Sequence, residues 1–136
     1  MRLDCGLRAV ALLGGVVLAG CGAPSADESR EPPPVLTAAE RRSVASYEGH
    51  IQEHCVRVAQ SIADPGAAPT PEQQRRAYAA ADALGALAAR KPTAEVDVGQ
   101  DLRLYLSDVV ENLDGSNCDP RLRARLEEAL EEIPVQ

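Results

Sequence analysis

From Thr37 onward the apolar residues of the chain recur every three or four positions and gather into four runs. Val44, Tyr47, Ile51, Cys55, Val58 and Ile62 step by 3, 4, 4, 3 and 4, which places them on one stripe of a helix. Ala77, Tyr78, Ala81, Leu84, Leu87 and Ala88 make a second stripe. Its mostly small side chains let neighbouring helices approach near the short end of the usual ~8–10 Å. Leu102, Leu106, Val109 and Leu113 mark a third, with Tyr105 and Val110 beside it, and Leu122, Leu126, Ala129, Leu130 and Ile133 a fourth. No segment shows the strict alternation of a half-buried strand.

The polar positions punctuate these runs. Thr37-Ala38-Ala39-Glu40 is a capping box, and Thr70-Pro71-Glu72-Gln73 is another with proline at the first helical position. Asp64-Pro65-Gly66 closes the first helix, and the Pro/Gly/Ala stretch to Pro69 is a loop. Arg90-Lys91 suits a C-terminal dipole, and Pro92 stops the second helix. The third starts at Thr93 or at Asp97, since both offer a cap, and Gly115 is placed as its C′ residue. Asp119-Pro120 caps the fourth, and Pro134 ends it. Four amphipathic segments with short connections predict an all-α fold, a small antiparallel four-helix bundle over residues 37–136.

Ahead of Thr37 the pattern disappears. Residues 22–36, GAPSADESREPPPVL, repeat with no helical or strand period, and Pro32-Pro33-Pro34 favours polyproline II. Residues 21–36 therefore read as a flexible, disordered Pro-rich tether, the fifteen residues after Cys21 reaching up to about 45 Å at ~3.1 Å per residue. Upstream, Ala9 to Leu18 is an apolar run of ten that follows Arg2 and Arg8. A bilayer span needs roughly 20 apolar residues, so the run has the length of a signal-peptide h-region instead. It ends in Leu18-Ala19-Gly20-Cys21, which resembles the lipobox of bacterial lipoproteins. The resemblance covers residues 1–21 only. It implies a signal peptide over residues 1–20, cleavage before Cys21, and a diacylglyceryl group on the Cys21 sulfur. The folded part would then stand on the extracytoplasmic side of a bacterial cell membrane.

Charge and cysteine use narrow the partners. The chain carries a net charge of −7, and from Gly22 onward 12 basic residues face 20 acidic ones. Such a body repels nucleic acid and anionic headgroups. Nucleic acid is therefore excluded as a partner, membrane contact falls to the lipid on Cys21, and an envelope protein is the partner class left. Cys5 departs with the signal peptide and Cys21 takes the lipid. Cys55 and Cys118 remain, an even number in an exported domain. A bridge between them closes a loop of about 60 residues, for which chain entropy gives roughly 4 kcal/mol; the alternative is two buried free thiols.

One stretch spells out chemistry. His50-Ile51-Gln52-Glu53-His54 matches H-x-x-E-H, and so resembles the zinc signature of the inverzincin peptidases. Two histidines four apart share a helix face and can chelate a divalent metal. Glu53 would be the general base, with a third ligand from Glu127, Glu128, Glu131 or Glu132. Two features oppose this reading. EEALEE offers a glutamate at almost any spacing, and inverzincin domains are larger and mixed α/β. On a helical wheel His50 and His54 flank the apolar stripe, where half-buried histidines pack against neighbours.

The remaining polar residues add no catalytic set. Cys55 and Cys118 lack C-x-x-C spacing, and no Gly-rich phosphate loop or nucleophile elbow is present. Tyr47, Tyr78 and Tyr105 read as core. Arg121, Arg123 and Arg125 stand at a helix start, where cations are disfavoured, for no reason visible in the sequence. The expectation is a non-enzymatic binding or structural module without cofactor or metal. The alternative is a divalent-metal-binding protein or metallohydrolase using His50, Glu53 and His54.

Overall fold

Both capping boxes close as the sequence requires. In the computed structural model, which describes Pro32 and residues 34–135, the Thr37 hydroxyl accepts from Glu40 N–H at 3.0 Å and Glu40 reaches back to Thr37 N–H at 2.9 Å. Thr70 and Gln73 repeat the exchange at 3.1 and 2.9 Å. These caps open helix α1, Ala38–Gln60, and helix α2, Pro71–Arg90, with a 3-10 turn at Pro65–Ala67 between them. The apolar run, the lipobox, Cys21 and most of the tether lie outside the described residues.

The third helix begins later than either predicted start. Residues after α2 form a two-stranded antiparallel hairpin, β1 Glu95–Asp97 and β2 Gln100–Asp101, pairing Glu95 with Asp101 and Asp97 with Gln100. Gly99 turns it at φ 76°, a conformation glycine adopts without penalty. Asp101 then caps α3, Leu102–Ser116, by accepting from Leu104 N–H at 2.9 Å. Strands of three and two residues are too short for alternation to register, so Asp97 reads as a cap when it is a strand end. At the far end α3 runs through Gly115, and Asn117 takes the left-handed position at φ 54°. Asn is the usual substitute for Gly there. Helix α4 spans Pro120–Glu131.

The described residues are thus mostly helical, four helices and one small hairpin. Helix α1 lies along α2, and α2 and α3 both pack on α4. Leu84, Leu102, Leu106, Leu122 and Leu126 are fully buried at the centre, each worth about 1.5–3 kcal/mol. Alanines at 77, 80, 81 and 88 keep the α2 face flat. Gly85 brings α2 and α4 closest: a Cβ there would sit 2.7 Å from the Cβ of Ala129. Ile62 falls outside the core, 88% exposed, because α1 ends at Gln60 before the stripe reaches it.

The start of the body is tied down. Leu36 is buried, and Lys91 at the end of α2 donates to Val35 O at 2.9 Å and to Glu40 at 2.7 Å. The chain enters where α1 begins and α2 ends. Cys55 stands seventeen residues into the helix from Ala38, about 26 Å along the axis.

Candidate functional site

Cys55 of α1 and Cys118, in the turn before α4, are disulfide-bonded with Cα atoms 5.2 Å apart. The residue before Cys55 and the residue after Cys118 make a second link beside the first. His54 Nε2 lies 3.2 Å from Asp119 Oδ2. Successive helical residues differ by about 100°, so Cys55 and His54 leave α1 in different directions. The covalent link reaches the turn after α3, and the histidine turns toward α2. There Tyr78 donates its hydroxyl to the same Asp119 oxygen at 2.5 Å, with its ring edge-on to the imidazole at 6.0 Å. The other carboxylate oxygen, Oδ1, caps α4 by accepting from Arg121 N–H at 3.0 Å. One aspartate therefore joins α1, α2 and α4.

The protons in this cluster follow from its surroundings. Burial alone would raise the Asp119 pKa, but hydrogen bonds from Tyr78, His54 and Arg121 N–H outweigh it and hold the carboxyl below its ordinary value. Burial, then the bond to Asp119, pushes the Tyr78 hydroxyl up. Tyr78 thus keeps its proton, Asp119 is a carboxylate, and His54 donates through Nε2. His54 is 2% exposed, and its Nδ1 is buried without a hydrogen-bond partner. A His–Asp pair can orient a general base, but here the second nitrogen faces neither solvent nor a nucleophile among the described residues. The arrangement holds helices together.

This cluster also accounts for the arginines that oppose the α4 dipole. Arg125 pairs with Asp82 at 2.7 Å and lies over the Tyr78 ring at 4.8 Å. Arg123 pairs with Asp114 and, at 3.5 Å, with Glu127. Arg121 approaches Asp119 at 3.9 Å. Carboxylates supplied by α2, α3 and α4 offset the unfavourable dipole at all three positions.

The three residues of the H-x-x-E-H match part company. His54 is committed to Asp119, His50 is half-buried, and Glu53 points outward to Gln73 at 3.4 Å and Arg76 at 3.9 Å. Among the described residues no group of three or more His, Cys, Asp or Glu side chains stands together as a metal site. The sequence showed His54 at the edge of a stripe; it is fully buried because Asp119, 65 positions away, supplies its partner. Asp119-Pro120 signals a cap and carries no sign of that second role.

A groove lies between α1 and α3. Its floor is Ile51, Cys55, Val56, Val109 and Leu113, and its volume is about 350 Å³, near the lower end for small-molecule sites. Near Glu48, which lines the groove, lies the buried hydroxyl of Tyr105. Burial, with the Glu48 carboxylate nearby, pushes its pKa up. Val56, which lines the groove, is 52% exposed. No family model, curated protein or solved structure matches the chain.

Proposed function

We propose that this protein is a lipid-anchored, extracytoplasmic module of the bacterial cell envelope that binds another envelope component. It would be a non-enzymatic, small antiparallel four-helix bundle on a Pro-rich tether. The observation that carries the reading is the order of parts along the chain. An apolar run of ten ends in Leu18-Ala19-Gly20-Cys21, a Pro-rich stretch with no helical or strand period follows, and the apolar stripes begin after it. A domain held by two or more acyl chains needs no membrane-binding surface of its own. Among the described residues no helix is long and apolar enough to cross a membrane. The disulfide suits an oxidising compartment. For the binding role, support comes from the closed state of the histidine cluster set against the open apolar groove.

Mass spectrometry of the chain recovered from bacterial membranes tests the anchor. The expected product begins at Cys21 with a diacylglyceryl group, and Cys21→Ser abolishes the modification. An unmodified, intact chain in the cytosol overturns the proposal. Crosslinking in the native envelope then identifies the partner.

A further inference from the structure

The groove between α1 and α3 has the length of a short helix. Its α1 wall runs from Glu48 to Val56 and its α3 wall from Val109 to Ser116, about 12 and 10 Å at 1.5 Å per residue. That is two helical turns, the length over which side chains at i, i+3 or i+4, and i+7 line up as anchors. The floor is apolar and includes the half-buried Cys55, whose disulfide fixes this part of α1 to the turn that follows α3. The site is therefore held in shape before anything binds, which lowers the ordering cost of association.

Charge selects the kind of helix. Glu48 lines the groove half-buried, and its hydrogen bond comes from the neutral Gln52 at 3.3 Å. The exposed Asp108, one helical turn before the lining residue Asn112, is likewise held by neutral Gln100. Neither carboxylate has a cation within ion-pair distance among the described residues. Away from the groove Glu40, Asp82 and Asp114 are each paired with lysine or arginine, while the exposed Glu111, Glu131 and Glu132 have no such partner among the described residues; Glu48 differs from these in being half-buried at the groove. No lysine or arginine lines the groove. A bound cation would neutralise a carboxylate that is already partly desolvated, where pairing is worth more than at an exposed site.

We infer that the α1/α3 groove is a docking site for a basic amphipathic helix of a partner protein, seated with apolar anchors on Val56 and Val109 and a lysine or arginine against Glu48. This rests on the binding-module reading and names the partner chemistry. The test uses the full chain with a photoreactive benzoylphenylalanine at Val56 or, as an off-groove control, at Ala86 on α2. The probe is a fluorescent two-faced Leu/Lys helical peptide, with its Leu/Glu counterpart as charge control. Capture of the Leu/Lys peptide is expected at position 56 and not at 86, and Glu48→Lys is expected to weaken it about tenfold through like-charge repulsion. Equal capture at the two positions, equal capture of both peptides, or no effect of Glu48→Lys overturns the inference. So does crosslinking from position 56 to a second copy of this chain or to lipid in preference to the peptide. Circular dichroism of Glu48→Lys, a half-buried rim position, separates lost docking from lost fold. Failure here leaves the Cys21 mass measurement untouched, so the two readings fail separately.

Discussion

Replacing Asp119 with alanine removes three contacts at once, and the structure sets their sizes. Loss of the N-cap bond to Arg121 N–H costs about 1 kcal/mol. His54 Nε2, on a side chain 2% exposed, is left without its acceptor, and a buried unsatisfied donor costs about 1–3 kcal/mol. The Tyr78 hydroxyl is only part-buried and can turn to water, so it adds little. The sum is about 3 kcal/mol, a fall in melting temperature of about 12–24 °C for a domain of this size. Urea unfolding followed by circular dichroism measures it. Asp119→Ser keeps a capping hydroxyl but does not reach His54, so it should recover about 1 kcal/mol of the loss. Pairing Asp119→Ala with His54→Leu should cost less than the sum of the single changes, because the orphaned donor is gone.

The pH dependence has a definite sign. Asp119 has a folded-state pKa below its ordinary 3.8. Its contribution is therefore fully present above that value and lost as pH falls through the lower folded value. Asp119→Ser should flatten the acid limb of the stability curve and leave neutral and alkaline slopes unchanged. A loss under 1 kcal/mol for Asp119→Ala, or strictly additive losses in the cycle, would refute the claim that this aspartate pins three helices.

Two further changes test the covalent and steric parts of the same core. Reducing Cys55–Cys118, which lie 63 positions apart, should lower unfolding free energy by about 4 kcal/mol, read as a shift in urea midpoint with and without reductant; an unchanged midpoint would show that the loop constraint contributes nothing. Gly85→Ala should destabilise by about 1–3 kcal/mol through overpacking against Ala129, although alanine is the better helix former; a gain in thermal stability would show that α2 and α4 separate without penalty.

Residues close together in sequence made much of this legible. Stripes with a 3.6 period placed four helices, and Thr37, Thr70 and Asp119 marked three of their starts, because a cap and the turn it closes are a few residues apart. The Cys55–Cys118 bond is the pair left once the lipobox resemblance sets Cys5 and Cys21 aside. What stayed hidden depends on distant partners or on elements too short to carry a period. The hairpin at 95–101 moved the start of α3 past both Thr93 and Asp97. His54 looked like half of a metal pair until the fold brought Asp119 and Tyr78 to it. Of the arginines at the head of α4, Arg123 and Arg125 had no rationale until Asp114 and Asp82 arrived from other helices.

The sequence by itself therefore determined the helical class, the positions of the apolar faces and the acidic surface, since these follow from periodicity, capping and composition along a single stretch of chain. Only the tertiary structure decided which polar groups are shared and which helices stand apart. Burial of His54 is tolerable solely because Asp119 accepts from it, and the groove exists because α1 and α3 do not close on each other. Both are properties of pairs of elements, set by packing across the chain, and no local pattern encodes them.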